Sequence, residues 1–201
     1  RPSDVTKFPI IAAFLSVPRE KFVPDGKREA AYIGENFQIG QSRIILEPRT
    51  LAKLLDALDI HKDELVLDIG SGLGYSSAII SLIAQVVIAV EDDKSLASEA
   101  EEILSEIGVD NVVVQIGKLE DGAPEHGPYD VIILQGGVGD IPGSILNQLK
   151  NGGRIGAIFI EEGLGTAKIG FKLNDKITWR FSFNAAAPIL PGFSKQNNFV
   201  L

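Results

Sequence analysis

The amino-acid sequence predicts an α/β fold: a doubly wound, mostly parallel, Rossmann-like sheet with a helical N-terminal segment and a C-terminal antiparallel hairpin. Three observations lead to this prediction. From residue 64 onward, short β-branched apolar runs alternate with helical patterns, as they do in parallel sheets covered by helices on both faces. A glycine-rich turn follows the first of these runs. Near the C-terminus, two apolar runs flank Asn174 and Asp175, which favours a tight hairpin.

The N-terminal part of the chain has helical rather than strand periodicity. In the range 5–16 the apolar residues recur at helical spacing, and Pro48 is suited to the first turn of a second helix, whose apolar face follows at residues 51–58. We therefore expect residues 1–60 to form a helical segment that packs on the core, and residues 61–201 to form the Rossmann-like domain. The two parts are expected to make a single compact unit.

The remaining elements are assigned from apolar runs, helical periodicity and turn residues. Short runs rich in Val and Ile predict buried strands, and the longer segments between them predict helices. The predicted strands are 65–69, 86–90, 112–116, 131–134 and 155–160, the predicted helices are 75–84, 95–107 and 141–149, and the predicted hairpin strands are 167–173 and 177–183.

Composition narrows the class of protein before any motif is considered. With 201 residues the chain is long enough for one domain with its own core, and the absence of Cys excludes disulfides, thiolate metal sites and a Cys nucleophile. With only two His, a metal centre is not expected. The net charge of −8 argues against a nucleic-acid partner, and no apolar run reaches the roughly 20 residues of a membrane span. We expect a cytoplasmic protein, monomeric or weakly dimeric, that does not act at a membrane.

The most informative segment is the glycine-rich turn at residues 68–75, which reads Asp-Ile-Gly-Ser-Gly-Leu-Gly-Tyr. It follows a buried strand and opens a helix, which is the context of a nucleotide-binding loop. The dinucleotide fingerprint G-x-G-x-x-G requires glycine where Tyr75 stands, so the match to that fingerprint is incomplete. Asp68, two residues before the first glycine, would repel a pyrophosphate and attract a ligand that carries a cationic amino group and a sulfonium.

A second acid supports a nucleoside ligand. Glu91 ends the second strand, 23 residues after Asp68, where an acid can accept hydrogen bonds from both hydroxyls of a ribose. Together these residues are similar to the S-adenosylmethionine site of the Rossmann-like methyltransferases. An NAD site is a weaker hypothesis, because no proton donor for hydride transfer is evident near the strand ends. The alternative is that the glycine-rich turn binds no ligand and only allows the helix to pack closely on the strand.

Several further blocks resemble the protein-L-isoaspartate O-methyltransferase family, and together they cover residues 5–160. Residues 15–24 match its V-P-R-E-x-F-V-P block, and Ala31 and Tyr32 follow at the spacing of the family. The other matching blocks are residues 67–75 with L-E/D-I-G-x-G-x-G-Y, residues 117–130 with G-D-G-x-x-G-x-P-x-x-x-P-F/Y-D, and residues 149–154 with L-K-P-G-G-R.

The resemblance implies an enzyme that transfers a methyl group from S-adenosyl-L-methionine to the carboxylate of isoaspartyl residues in damaged proteins, with S-adenosyl-L-homocysteine as the product. A carboxylate is already nucleophilic, so this reaction needs no general base, and the protein supplies alignment and excludes water. The implied cofactor-binding residues are Asp68, Gly70, Ser71, Gly72, Gly74, Tyr75, Glu91, Asp92, Gly117, Lys118 and Gln135.

Three departures from the family's pattern bear on the reaction. Where the family's G-Q-T-I-S-Q-P segment carries a serine at the reacting centre, this chain has Leu46, which offers no hydrogen bond. Lys118 stands where the family has the Asp expected near the adenine amine, and Glu120 or Asp121 would replace that Asp only if the loop shifts. Glycines at positions 136, 137 and 139 replace an alanine-rich segment.

Basic residues near Leu46 are the candidates for binding a substrate carboxylate. Arg43 and Arg49 flank this segment, and a guanidinium binds a carboxylate bidentately, so the candidate catalytic residues are Arg43, Leu46 and Arg49. The alternative is that Arg43 and Arg49 are ordinary surface residues with no role in the reaction. The preferred hypothesis is a methyltransferase of the isoaspartyl type. The main alternative is a divergent or non-catalytic S-adenosylmethionine-binding relative with a different substrate, and the weaker one is an NAD(P)-dependent oxidoreductase.

Overall fold

The computed structural model of the protein describes residues 4–195. In this range the chain forms helices α1 (Phe8–Ser16), α2 (Pro48–Leu58), α3 (Tyr75–Ser81), α4 (Lys94–Glu106) and α5 (Gly143–Asn147). The strands are β1 (Phe37–Gly40), β2 (Arg43–Ile45), β3 (Leu65–Ile69), β4 (Val86–Glu91), β5 (Val112–Ile116), β6 (Tyr129–Val138), β7 (Leu149–Glu161), β8 (Leu164–Leu173) and β9 (Lys176–Asn184). None of the helices within these described residues is long and apolar enough to cross a lipid bilayer.

Seven strands form one sheet in the order β5-β4-β3-β6-β7-β8-β9. The strands from β3 to β7 are parallel to one another, whereas β8 and β9 are added antiparallel to β7. The chain builds the sheet in one direction from β3 to β5 and then crosses to the other side of β3. The carboxyl ends of β3 and β6 therefore meet at a topological switch point, where open α/β sheets bind their ligands. The predicted fold class is confirmed.

The predicted C-terminal hairpin is present. Leu173 pairs with Lys176, and the two residues between them, Asn174 and Asp175, have left-handed φ values of 50° and 59°. Positive φ at both central residues is what a two-residue hairpin turn requires, and Asn and Asp adopt it more readily than most residues do.

Two predicted helices are shorter than expected, and one hairpin is not predicted from the sequence. α3 ends at Ser81, and α5 spans only Gly143–Asn147, since Leu149 already pairs with Tyr129 as the first residue of β7. β1 and β2 form a separate two-stranded antiparallel sheet within the segment expected to consist of helices and loops. β2 is only 3 residues long, which is too short for a strand periodicity to be visible.

The core lies on both faces of the large sheet. Neighbouring residues of a strand point to opposite faces, so Val66 of β3 belongs to one buried cluster, whereas Leu67 and Ile69 belong to the other. α1, α2 and α3 contribute to the first cluster, which joins the N-terminal part of the chain to the sheet. The second face is covered by α5 and by the segment after β9, where Phe193 is fully buried.

Candidate cofactor site

The glycine-rich turn joins the carboxyl end of β3 to α3, at the switch point of the sheet. Its backbone is tied to the neighbouring strand, because the Gly70 N–H donates to Val90 O at 2.9 Å. Gly72 has a φ of 57°, and a Cβ added there would lie 2.5 Å from Ile39 Cδ1, so this position favours glycine. The turn therefore has the position and the tight backbone of a ligand-binding loop.

Asp68 is fully buried beneath this turn. Its Oδ2 accepts hydrogen bonds from the hydroxyls of Ser76 and Ser77, each at 2.6 Å, and its Oδ1 accepts one from Gln135 Nε2 at 2.6 Å. Burial raises the pKa of the Asp68 carboxyl group, and these three donors oppose that shift. In this conformation Asp68 joins the first turn of α3 to the end of β6, and its interaction with a cationic ligand stays a prediction.

Replacing Asp68 with asparagine is expected to change how stability depends on pH. Because the folded-state pKa is raised, the folded chain holds this proton more tightly than the unfolded chain does. The contribution of Asp68 to the free energy of unfolding therefore falls as pH rises from the usual Asp pKa through the raised value. Asp68→Asn removes this fall, so the variant should gain stability relative to wild type with rising pH, by about 1.4 kcal/mol for each pH unit between the two pKa values.

Urea unfolding at a series of pH values from about 4 to 8 measures this difference. Asp63→Asn, on the exposed turn before β3, is the matched control, because it removes a carboxylate of the same kind from the surface. A difference between Asp68→Asn and wild type that stays constant or shrinks with rising pH would contradict the assignment.

Glu91, the last residue of β4, is fully buried and accepts several hydrogen bonds. Its Oε2 accepts from the Gly72 N–H at 2.7 Å, and its Oε1 accepts from the N–H groups of Asp92 at 3.0 Å and Asp93 at 3.1 Å. Burial raises the pKa of Glu91, and the positive charge of Arg43 opposes the shift. The two acids singled out in the sequence thus end adjacent parallel strands beside the glycine turn.

Arg43 reaches this acid from β2, in the separate hairpin. Its side chain is only 4% exposed; its Nη2 donates to Glu91 Oε2, and its Nε donates to Glu91 Oε1 at 3.2 Å. Its Nη1 is buried without a hydrogen-bond partner and lies 2.9 Å from the position of a Cβ added to Gly70. In this conformation the guanidinium binds Glu91, and the role of Arg43 in binding a substrate carboxylate stays a prediction.

The other two candidate catalytic residues lie in different environments. Leu46 is buried and lines a small cavity together with Ser71, Tyr75 and Gln135. Arg49 lies on the surface in the first turn of α2, and its Nη2 donates to an Asp4 carboxylate oxygen at 2.8 Å. The structure therefore brings Leu46 to the glycine turn and leaves Arg49 facing solvent.

The residues predicted to contact the adenine lie where β4 and β5 end. The Gly117 N–H donates to Glu91 O at 3.0 Å, which holds the end of β5 beside β4. Asp92 and Lys118 are exposed there. The Glu120 carboxylate lies against Gly192, so the C-terminal segment also reaches this edge of the sheet.

The segment after β9 covers the end of β6 and is not predicted from the sequence. The Leu190 N–H donates to Gly137 O at 2.9 Å, and the Gly137 N–H donates to Pro188 O at 2.8 Å. A Cβ added to Gly136 would lie 2.7 Å from the Leu190 side chain, so any larger residue would push this segment away. In the sequence, only the glycines at positions 136, 137 and 139 indicate that another part of the chain packs closely against this segment.

The fold and the site together define the class of protein. A mostly parallel sheet with a switch point, a glycine turn at that point and acids at the ends of the first two parallel strands are the arrangement of the class I methyltransferase fold. The family model described as protein-L-isoaspartate(D-aspartate) O-methyltransferase matches residues 4–175. The chain belongs to this family, as the resemblance of its sequence blocks predicts. Membership favours the methyltransferase hypothesis over the oxidoreductase one.

Two relatives illustrate the degree of similarity. The chain is 36% identical over 152 residues to protein-L-isoaspartate O-methyltransferase of Opitutus terrae, in an alignment that covers 76% of this chain and 65% of the relative. It is 39% identical over 146 residues to protein-L-isoaspartate O-methyltransferase 2 of Pelobacter propionicus, which covers 73% of this chain and 65% of the relative. The chain thus spans just under two thirds of the length of these relatives.

Two solved structures share the fold. One, described as a protein-L-isoaspartate O-methyltransferase, matches with a TM-score of 0.84 at 25% identity and covers 92% of this chain and 62% of its own. The other, a Plasmodium falciparum protein described as a beta-aspartate methyltransferase in complex with S-adenosyl-L-homocysteine, matches with a TM-score of 0.80 at 20% identity. The alignment with the second covers 92% of this chain and 91% of that one.

Two features around the turn do not fit an adenosyl group in this conformation. The cavity between Leu46, Ser71 and Gln135 has a volume of about 10 Å³, which is roughly the space that one water molecule needs. Arg43 covers Gly70 and pairs with Glu91, where a ribose would be bound. In this conformation the residues present do not fit S-adenosylmethionine.

Proposed function

We propose that the protein is an S-adenosylmethionine-dependent methyltransferase that methylates the carboxylate of isoaspartyl residues in damaged peptides or proteins, and that S-adenosyl-L-homocysteine is its second product. The observation that carries this proposal is the contact between the glycine turn and Glu91, whose Oε2 lies 2.7 Å from the Gly72 nitrogen, in a chain that belongs to the family. An acid in this position of a Rossmann-like sheet serves to bind the ribose of a nucleoside cofactor.

The buried residues around Leu46 supply no general base, which is compatible with an acceptor that is already anionic. A carboxylate needs alignment and protection from water rather than a general base. Ile44, Ile45 and Leu46 are buried and apolar, so they offer no proton acceptor at this point. We propose that Arg49, whose side chain is 57% exposed, attracts the substrate carboxylate from solution.

The setting of the reaction is part of the same proposal. We propose that the protein works in the cytoplasm as a monomer or weak dimer, and that its N-terminal residues 1–60 and its domain 61–201 form one compact unit. The shared buried cluster of the first helices and the sheet supports the last point. The net charge of −8 favours peptide or protein substrates over nucleic acid, whose phosphates attract basic proteins.

A second candidate function is that of a divergent relative, which keeps the cofactor fold but has a different methyl acceptor or no catalysis. Two observations favour it. Leu46 cannot donate a hydrogen bond to a substrate as the family's serine can. Lys118, where the family has Asp, cannot accept a hydrogen bond from the adenine amine.

Transfer of a labelled methyl group separates the two candidates. The protein is incubated with methyl-labelled S-adenosylmethionine and an isoaspartyl peptide, and the same peptide with normal aspartate is the control. The proposed function predicts base-labile label in the isoaspartyl peptide alone. Calorimetric binding of S-adenosylmethionine without such labelling would favour the second candidate. If S-adenosylmethionine and S-adenosylhomocysteine bind neither to wild type nor to a variant in which alanine replaces Arg43, the residue paired with Glu91, both candidates are wrong; NADH is a further control.

A further inference from the structure

Three side chains from outside the parallel strands cover the glycine turn. Ile39 of β1 lies over Gly72, with its Cδ1 2.5 Å from the position of an added Cβ. By the same measure, Arg43 Nη1 lies 2.9 Å and Leu190 Cδ2 lies 3.3 Å from a Cβ on Gly70. Ile39 and Arg43 both belong to the β1–β2 hairpin, which is a small sheet separate from the large one. The hairpin is therefore a cover over the turn, contributed by one short stretch of chain.

Within this cover, Arg43 acts as an internal ligand of Glu91. Its guanidinium donates two hydrogen bonds to the carboxylate, and the Gly72, Asp92 and Asp93 N–H groups donate three more. A carboxylate offers about four lone-pair positions, so Glu91 has none left for the hydroxyls of a ribose. As long as Arg43 stays in place, Glu91 has no free acceptor position for a ribose hydroxyl.

The fit of the guanidinium is nevertheless incomplete. Arg43 Nη1 and, in the turn itself, Ser71 Oγ are buried without hydrogen-bond partners among the described residues. A buried polar atom without a partner carries a free-energy cost, which native structures seldom leave uncompensated. A ligand bound at the turn that supplied hydrogen-bond partners would remove this cost. The contacts between Arg43 and Glu91 can therefore be replaced by contacts with a ligand.

We propose that the β1–β2 hairpin is a lid that Arg43 latches onto Glu91, and that an adenosyl cofactor binds only when this ion pair opens. The inference rests on the proposed function, because it takes the glycine turn as the cofactor site. If most molecules are latched, the apparent affinity for the cofactor is reduced by the fraction that is open. Removing the latch should therefore tighten binding, whereas removing an ordinary structural ion pair should not.

Titration calorimetry with S-adenosylhomocysteine tests the latch. The dissociation constant is expected to fall by about tenfold or more in Arg43→Ala relative to wild type. Arg180→Ala, exposed on β9, is the matched control and should bind as wild type does. If Arg43→Ala does not fold, Arg43→Met, which keeps an apolar stem without the charge, is used for the same comparison. Equal or weaker binding by the folded variant overturns the latch.

The absence of Cys from the chain allows a second readout that needs no cofactor. Ser71→Cys places a thiol in the covered turn, where the native side chain is 6% exposed, and Ser81→Cys places one at the end of α3, where it is 7% exposed. Arg43→Ala should accelerate the reaction of the thiol at position 71 with Ellman's reagent by about tenfold or more and leave the rate at position 81 unchanged. No acceleration at position 71, or equal acceleration at both positions, overturns the lid.

The two readouts separate failure of the latch from failure of the proposed function. If wild type binds S-adenosylhomocysteine as tightly as Arg43→Ala does, the latch is overturned and the proposed function stands. If neither protein binds S-adenosylhomocysteine, although Arg43→Ala accelerates the thiol reaction at position 71, the proposed function is wrong. The role of the latch in cofactor binding is then wrong as well.

Discussion

Replacing Glu91 with alanine is expected to lower the free energy of unfolding by about 3–5 kcal/mol, because the buried charge of Arg43 keeps only the more distant Asp92 carboxylate, 3.7 Å from its Nε. Arg43, only 4% exposed, would lose the carboxylate that accepts two of its hydrogen bonds. The N–H groups of Gly72, Asp92 and Asp93 would lose their acceptor as well. Urea unfolding at neutral pH measures the loss.

A double replacement distinguishes the broken charge pair from lost packing. Arg43→Met combined with Glu91→Leu removes both charges, so it is expected to be more stable than Glu91→Leu alone, which has the same volume at position 91 but leaves the charge of Arg43. Glu99→Ala, on the exposed face of α4, is the surface control and should stay within about 0.5 kcal/mol of wild type. A loss at Glu91 no larger than that at Glu99 would show that the Arg43–Glu91 pair does not contribute to the fold.

Replacing Phe193 with alanine is expected to cost about 3–5 kcal/mol of unfolding free energy. The ring is fully buried in the cluster on the α5 face of the sheet. The backbone oxygen of Phe193 accepts hydrogen bonds from the N–H groups of Gly139 at 2.7 Å and Asp140 at 3.1 Å, so this residue fixes the C-terminal segment to the end of β6. Loss of the ring should loosen the segment that carries Leu190 over the glycine turn.

Two measurements check this expectation. Chemical denaturation of Phe193→Ala is compared with that of Phe181→Ala, the same chemical change at a residue of β9 that is 67% exposed, which should stay within about 0.5 kcal/mol of wild type. Amide hydrogen exchange at Leu190, whose N–H donates to Gly137 O, should become faster in Phe193→Ala only. Unchanged exchange at Leu190 would mean that Phe193 does not anchor the segment.

The parallel sheet was predictable because its signals are local. The strands and the helices between them show their periodicity over a few residues, and Asn174 and Asp175 predict their own hairpin turn. The β1–β2 hairpin has no comparable signal, because its register depends on pairing Phe37 with Ile45 and includes an irregularity next to Gly40. Strands this short are specified by what they pack against.

The candidate site divides in the same way. Asp68 and Glu91 were identifiable because each lies near the carboxyl end of a buried strand, and the carboxyl ends of adjacent parallel strands lie side by side. The partner of Glu91 was not identifiable from the sequence, because Arg43 lies 48 positions before it in the chain. Leu190 belongs to a segment after the last strand, which only the glycines at positions 136, 137 and 139 indicated.

The sequence by itself determined the class of protein, since strand and helix periodicity, the glycine turn and the spacing of its acids act over short stretches of chain. Only the tertiary structure decided what those acids contact. A carboxylate removed from water must be compensated by whichever donors and cations the fold brings within a few ångströms, and in this chain the fold brings Arg43 to Glu91. The Arg43–Glu91 contact depends on how close the two side chains lie in space and on the exclusion of solvent. The local pattern of residues determines neither.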